Sequence, residues 1–454
     1  MQNGISDRQN GSSARADAPA ATQTLPRPAP TPVTPGMGMG HGGGAISLRN
    51  LRTFSSFSNP VFRLYYTGML GQMAAMNMQL IAKGLLIYQL TGSGTILGIM
   101  ALANSLPMLV FSLFGGVIAD RVEKRKVLVL GQAASGVVSL LIALSLTLGY
   151  MGPNVPGSWI VLVFAALFQG TIQGLMMPSR QAMISDIVSE RDLMNAIALN
   201  TFGMNILRLV APALAGFFIA GFGFDAVYYA MTGMYFMAAF FVFLMPVTGT
   251  ISLRGQGAWA SMKDGFTYVR RENTVFAVLA LTLIMVLLSM PYLTLLPAFT
   301  EGILNVGSQG LGIMVSVSGI GAMAGSVVLA SLPNKRRGLL LMLSGLVLGL
   351  ALVGFSFSNS WHLSLVMIVF VGLGQTGRMT LSNTLLQYYV SDEYRGRVMS
   401  IYMMEFGLTS LSVFIAGVLS DTIGVQWAVG GLALGLVALC ALMLVFVPTV
   451  RNLD

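Results

Sequence analysis

Four charged side chains lie inside long apolar stretches of this sequence, and their types suit ion or substrate chemistry. They are Lys83, Arg208, Arg378 and Glu405. A charge inside an apolar segment is costly, so such residues usually face a protein interior or an aqueous path and mark functional sites. Glu405 is the carboxylate that lies well inside its apolar stretch, and a carboxylate in that setting can exchange a proton.

Two interpretations of Glu405 stay open. In the first, protonation of Glu405 is exchanged against binding of a substrate, which is the chemistry of proton-coupled antiport. In the second, Glu405 forms a structural ion pair with Arg378, which helical rise places one helix away at a similar depth. A low dielectric favours the neutral acid and a nearby cation favours the carboxylate, so the two roles can coexist.

The cations also have two interpretations. Arg208 precedes Pro212 by one helical turn, so it could attract an anionic substrate or bind carbonyl groups that the proline leaves free. Lys83 and Arg378 add positive charge, which suits an anionic or catecholate-like substrate. The stretch before Lys83 contributes Gln72 and Asn77 as further polar candidates for substrate contact.

Composition defines the elements that must position these residues. The chain has 454 residues, of which 55% are hydrophobic and 9% are charged, whereas soluble domains carry about 25% charged residues. Repeated apolar runs without a period of two predict membrane-spanning helices. Twelve helices are predicted, at residues 61–90, 95–119, 127–150, 158–186, 194–221, 226–246, 274–299, 308–332, 338–358, 361–389, 396–420 and 425–448.

The sequence predicts five regions in an all-α integral membrane protein with two pseudo-symmetric bundles. Residues 1–50, rich in Pro, Gly, Ala and Thr, are predicted to be a disordered cytoplasmic tail. Residues 51–246 and 274–448 form two six-helix bundles. Residues 247–273 form a central cytoplasmic loop with an amphipathic helix, and 449–454 form a second cytoplasmic tail.

Charge and repetition support this organisation. Lys and Arg gather in the even-numbered connections, and turns such as TGSGT and SDTIG on the other side lack them, so both termini are predicted to be cytoplasmic. The halves repeat: TILGIM (95–100) recurs as GLGIM (310–314), and AGFFIAGFG (215–223) recurs as AGVLSDTIG (416–424). Such repeats are typical of transporters whose substrate site lies between the halves.

The turn between the second and third helices carries a recognisable pattern. GGVIADRVEKRKVL, with Gly116, Asp120 and Arg121, resembles the signature of the major facilitator superfamily. NILRLVAPALAGFFIA is similar to the helix 5 element of antiporter-type members, with Pro212 and Gly216 as a hinge. LLIYQLTGS, PSRQAMISDIVSERDLMNAIALN and DEYRGRVMSIYMM resemble the branch of enterobactin exporters and macrolide efflux proteins.

The resemblance implies a gate on the cytoplasmic side. It would be formed by Gly116, Asp120 and Arg121 in the 2–3 turn and by Arg395 and Arg397 at the start of helix 11. Asp120 would face the positive N-terminal end of helix 11 in one access state only, and so act as a latch. The alternative is that the basic residues of the turn only hold it in the cytoplasm.

The resemblance further implies a secondary active transporter of the bacterial inner membrane. We expect a proton-coupled exporter of amphipathic small molecules of drug, macrolide or siderophore type. The alternatives are an uptake carrier or facilitator of the same fold, or a transport-inactive membrane sensor or scaffold. We expect a monomer in the lipid bilayer whose partners are a substrate and protons. Enzymatic activity, a cofactor, a metal, a nucleotide and a nucleic acid are not expected.

Overall fold

The structure, a computed structural model, describes residues 52–246, 258–333 and 335–453. The predicted tail 1–50 and the first part of the central loop, 247–257, lie outside these ranges. The helices are α1 Pro60–Thr91, α2 Gly94–Arg121, α3 Lys124–Thr147, α4 Trp159–Ile187, α5 Glu190–Phe243, α6 Ala258–Arg271, α7 Asn273–Ser289, α8 Pro291–Gly302, α9 Gly307–Ser331, α10 Arg337–Ser356, α11 Trp361–Tyr389, α12 Arg395–Tyr402, α13 Glu405–Ile423, α14 Val425–Phe446 and α15 Pro448–Arg451.

These helices confirm the predicted all-α fold class, but the count of twelve membrane spans stays a prediction. Ten helices of the described residues are long and apolar enough to cross a membrane. One of them contains the predicted fifth and sixth helices, and it is broken at Gly223, where φ is 88°. The helix Pro60–Thr91 is not among the ten, and its polar residues, including Gln72, Asn77 and Lys83, lower its hydropathy.

Two of the predicted helices each correspond to one candidate membrane span, Asn273–Gly302 and Arg395–Ile423, and each span contains a local interruption. The predicted helix 274–299 is split into α7 and α8 before Pro291, whose nitrogen has no hydrogen to donate. The predicted helix 396–420 is split into α12 and α13 at Met403 and Met404. There the backbone hydrogen bonds span three residues instead of four: the Met404 N–H donates to the Ile401 carbonyl over 3.0 Å.

The halves of the chain meet along two helix pairs, α2 with α13 and α5 with α9. Gly417 of α13 lies directly against the Gly94 carbonyl of α2, and Gly216 of α5 lies directly against the Ser308 carbonyl of α9. The sequence repeat pairs Gly417 with Gly216 and places Gly94 opposite Ser308. The two contacts are therefore equivalent, and the register of the predicted repeat is present in the fold.

A helix also occupies part of the predicted central loop. In α6, the Tyr268 ring stacks on Tyr394 with centroids 4.3 Å apart. Asp264 lies 3.9 Å from the Arg397 guanidinium, at the start of α12. These contacts join α6 to the C-terminal half of the chain. The division into two six-helix bundles and a loop stays a prediction.

Candidate transport site

Two neighbouring cavities lie between the halves of the chain. The first has a volume of about 230 Å³ and is lined by α1, α2, α8, α9 and α13, with Lys83 in its wall. The second has a volume of about 260 Å³ and contains Arg208 and Glu405. Leu293 and Phe406 line both cavities. The two spaces therefore adjoin, and together they bring three of the predicted site residues to one region.

Lys83 is the charged residue of the first cavity. It is partly buried on α1, and its ammonium group has no hydrogen bond or ion pair with any residue that the structure describes. Neutral polar groups accompany it, among them Asn104, Ser105 and Thr294. Because the positive charge is not neutralised locally, this cavity disfavours cations and favours negatively charged or electron-rich groups.

Arg378 and Glu405 form an ion pair at the edge of the second cavity. Arg378 Nη2 donates to Glu405 Oε1 over 2.9 Å. The Arg378 side chain is fully buried and the Glu405 side chain is 13% exposed. Within the described residues, Nε and Nη1 of Arg378 have no hydrogen-bond partner. The ion pair predicted in one interpretation is present, and the coupling role of Glu405 stays a prediction.

Glu405 owes its position to the break before α13. It is the first residue of that helix, and an acidic group in the first turn of a helix is favoured by the helix dipole. Its neighbours Met403 and Phe406 are 43% and 47% exposed, and both line the second cavity. The break therefore turns a carboxylate toward an accessible space between the halves.

Arg208 lies on α5 in the wall of the second cavity. Its guanidinium makes no hydrogen bond to a carbonyl group of the described residues, so it does not compensate for Pro212. Nearby, the Ser316 hydroxyl of α9 donates to the carbonyl of Leu209 and so joins α9 to α5. Arg208 is thus placed in the cavity wall, and its role in attracting an anionic substrate stays a prediction. The hinge role of Pro212 and Gly216 stays a prediction.

Gln72 and Asn77 are not brought to the cavities. Gln72 is buried inside the N-terminal half, where its Oε1 accepts from Gln132 Nε2 over 3.2 Å. Asn77 donates to the Met73 carbonyl of its own helix over 2.8 Å. The residues of α1 that line the first cavity lie further along the helix and are Leu80, Ile81, Lys83, Gly84 and Ile87.

Sequence reasoning missed Arg180 on α4. This partly buried arginine lies near Tyr65 and Tyr235, and its Nη1 is 3.8 Å from the Met76 sulfur. No described carboxylate pairs with it. The sequence did contain a signal, a charged residue inside an apolar stretch, because Arg180 falls within the predicted helix 158–186. Its nearness to the basic 4–5 connection makes it look like part of the positively charged membrane face.

The predicted cytoplasmic gate is only partly described. Arg121 is exposed at the end of α2, and the side chains of Gly116 and Asp120 lie outside what the structure describes. Arg395 pairs with Asp392 over 2.6 Å, and Arg397 contacts α6 as given above. The latch between Asp120 and helix 11 therefore stays a prediction.

The neighbouring basic residues have structural partners within the N-terminal half. Lys124 Nζ lies 2.6 Å from Asp186 Oδ2 of α4. Arg125 donates to the Phe243 and Met245 carbonyls at the end of α5, where cations are favourable because the last carbonyls of a helix lack partners. We call this side of the bundle the Lys124 end.

The opposite side, where α1 and α13 end, is the Asp421 end, and the halves are joined there. The Asp421 carboxylate accepts hydrogen bonds from the Gly94 and Thr95 N–H groups, over 2.7 and 3.0 Å. Gln89 Nε2 donates to Glu301 Oε1 over 3.2 Å between α1 and α8. With the Gly94–Gly417 contact, these bonds close the Asp421 end above the cavities.

The whole described region matches one protein family. The model of a family described as transmembrane secretion effectors matches residues 51–454. The chain belongs to this family of the major facilitator superfamily. The superfamily predicted from the 2–3 turn is therefore confirmed.

Curated relatives are transporters. The staphyloferrin A transporter of Staphylococcus aureus is 26% identical over 331 residues, covering 72% of this chain and 82% of that protein. The enterobactin exporter EntS of Shigella flexneri is 23% identical, with coverage of 77% and 82%. The multidrug efflux pump Tap of Mycobacterium tuberculosis is 24% identical, with coverage of 88% and 96%. The chain is thus a membrane transporter of the major facilitator type.

Solved structures show the same fold. The nucleoside transporter NupG superposes with a TM-score of 0.67 at 12% identity, and the match covers 85% of this chain and 98% of that one. The low identity means that the likeness concerns the arrangement of helices alone. The predicted fold of the major facilitator superfamily is confirmed.

Proposed function

We propose that this transporter exports amphipathic small molecules of drug, macrolide or siderophore type from a bacterial cytoplasm in exchange for protons. The observation that carries this proposal is the Arg378–Glu405 ion pair on the wall of an accessible cavity between the halves. A titratable carboxylate that faces both a cavity and a buried cation joins protonation to the packing of two helices, α11 and α13. The names of EntS and Tap support export.

The ion pair supplies a physical route to coupling. Protonation of Glu405 removes its negative charge and leaves Arg378 buried without a counter-charge, which is unfavourable. The protonated and ionised forms therefore favour different arrangements of α11 and α13. A neutral or cationic substrate group that contacts the carboxylate competes with the proton, and this competition is the requirement for exchange.

The two unpaired cations favour a second candidate, uptake of an anionic small molecule together with a proton. Lys83 and Arg208 face the cavities without an ionic partner among the described residues. Protonation of Glu405 would add a further uncompensated charge, that of Arg378, beside them. Anion and proton would then strengthen each other's binding, because coupling between two binding sites is reciprocal. An inward proton gradient would drive such a pair into the cell.

Dye movement in cells tests both candidates. Rhodamine 123 and carboxyfluorescein are xanthenes of similar size and opposite charge. Cells are preloaded with either dye, carboxyfluorescein being released internally from its diacetate, and efflux is compared between wild type, Glu405→Gln and empty vector. Export predicts faster efflux from energised wild-type cells, abolished by Glu405→Gln and by an uncoupler. Net accumulation of external carboxyfluorescein with unchanged efflux would instead establish uptake.

A further inference from the structure

Asp421 forms a three-bonded contact across the halves of the chain. Its Oδ1 accepts from the Gly94 N–H over 2.7 Å, and its Oδ2 accepts from the Thr95 N–H over 3.0 Å and from the Ser93 hydroxyl over 2.6 Å. Gly94 and Thr95 begin α2, whose first N–H groups have no partner within the helix, and Ser93 is its N-cap residue. A carboxylate is the favoured acceptor there, because bonds to an ionised group are strong and the helix dipole is positive.

Of the two equivalent helix pairs, α2–α13 has this carboxylate contact and α5–α9 does not. The repeat that pairs Gly417 with Gly216 also pairs Asp421 with Ala220. The same register holds for the backbone that follows, since Gly223 and Gly424 have φ values of 88° and 87°. Ala220 has no acceptor, and α9, which begins opposite it, has no side-chain cap. The two helix pairs thus share the close glycine contact and differ in the carboxylate.

We propose that Asp421 is a gate residue that holds α2 and α13 together and stabilises the state closed at the Asp421 end. Its three bonds join residues of the two halves, so they must break when this end opens. The inference rests on alternating access and is independent of the substrate and of proton coupling. The equivalent pair, α5 with α9, has the close contact at Gly216 but no carboxylate, so it lacks the corresponding hydrogen bonds.

The populations of the two states can be measured by distances between spin labels. Cys440 is the chain's single cysteine, so Cys440→Ser provides a background for labels at Tyr150 and Asn359. Both residues are exposed and follow helices, α3 and α10, that end on the Asp421 side. We expect a short distance in wild type. Asp421→Asn removes the negative charge at the N-terminus of α2 and keeps one acceptor oxygen, so it should move the closed-to-open ratio by about two- to fivefold toward the longer distance.

The sequence repeat suggests a second substitution that should compensate for the loss of Asp421. Ala220→Asp places a carboxylate at the position equivalent to Asp421, opposite the uncapped start of α9. In the Asp421→Asn background this substitution should restore most of the short-distance population. The matched control is Asp225→Asn, an acid at the same end whose carboxylate lies 3.5 Å from the Thr147 hydroxyl within one half.

The outcomes separate the gate from general surface effects. A shift in Asp421→Asn that is absent in Asp225→Asn supports the proposal, and rescue by Ala220→Asp supports it further. An unchanged distance distribution in Asp421→Asn, or an equal shift in Asp225→Asn, overturns it. The experiment uses neither a substrate nor a proton gradient, so its failure is distinguishable from failure of the proposed proton-coupled export.

Discussion

Arg378 donates to Glu405 over 2.9 Å from a fully buried position, while the glutamate reaches the wall of a cavity between the halves. The Arg378 side chain is not exposed to solvent, and its Nε and Nη1 have no hydrogen-bond partner among the described residues. Compensation of the buried Arg378 charge therefore depends on the Glu405 carboxylate. This dependence connects the stability of the fold with the proposed transport chemistry.

Stability measurements on the pair should show this dependence. Glu405→Gln removes one partner and leaves a buried arginine uncompensated, at a cost of about 3 kcal/mol. The double variant Arg378→Gln with Glu405→Gln leaves no buried charge and should recover part of the lost stability. Thermal unfolding of the purified proteins in detergent measures these differences in stability. A double variant less stable than Glu405→Gln would show that the arginine is held by something other than this glutamate.

The close glycine contacts should be needed for closure of the Asp421 end. Gly417→Val places a branched side chain against the Gly94 carbonyl, so α2 and α13 cannot approach as closely. We expect a folded protein with more than about tenfold lower transport, since interfaces of this kind require small residues. Gly431→Val is the control, because Gly431 has nothing within 4 Å of the position of a Cβ. Equal loss in both variants would contradict the argument.

The unpaired cations should determine which ligands bind. Lys83→Gln and Arg208→Gln should each weaken carboxyfluorescein binding, measured by fluorescence anisotropy of the purified transporter, by about tenfold, because charged hydrogen bonds contribute roughly 1.5–3 kcal/mol. Binding of rhodamine 123 should be unchanged or stronger. Arg63→Gln, a change at an exposed residue near the start of α1, is the control. Weaker rhodamine 123 binding in both cavity variants would indicate shape effects rather than charge.

Arg125 should matter for stability and its neighbour Lys126 should not. Arg125 bonds to carbonyl groups at the end of α5, and its loss should cost about 1 kcal/mol. Lys126 is 65% exposed and pairs with Glu123 within the same turn, and exposed pairs of this kind contribute little. Thermal unfolding of Arg125→Ala and Lys126→Ala makes the comparison. A larger effect at Lys126 would show that the turn has contacts beyond those described.

The sequence predicts the helices well because the signal, runs of apolar residues about as long as a bilayer is thick, is local. It also predicts the repeat, since equivalent glycines meet equivalent carbonyls. The break at Met403 was not predicted, because a hydropathy pattern does not record where backbone hydrogen bonds change register.

The site was predicted in part. Glu405 and Arg378 stand out as charges at similar depth, so their pairing followed from helical rise. Asp421 was missed as a contact residue because two of its three partners are backbone N–H groups from the other half of the chain, which the side-chain types do not reveal. Gln72 was misplaced because an amide in a membrane helix can face its own bundle as easily as the space between bundles.

Proton movement during transport tests the central claim most directly. Inverted membrane vesicles are acidified by respiration and monitored with a pH-sensitive dye, and erythromycin, enterobactin or rhodamine 123 is then added to wild type and to Glu405→Gln. We predict that at least one compound releases protons from wild-type vesicles and that this release is lost in Glu405→Gln. Release of the same size in Glu405→Gln would contradict the claim that this carboxylate couples protons to transport.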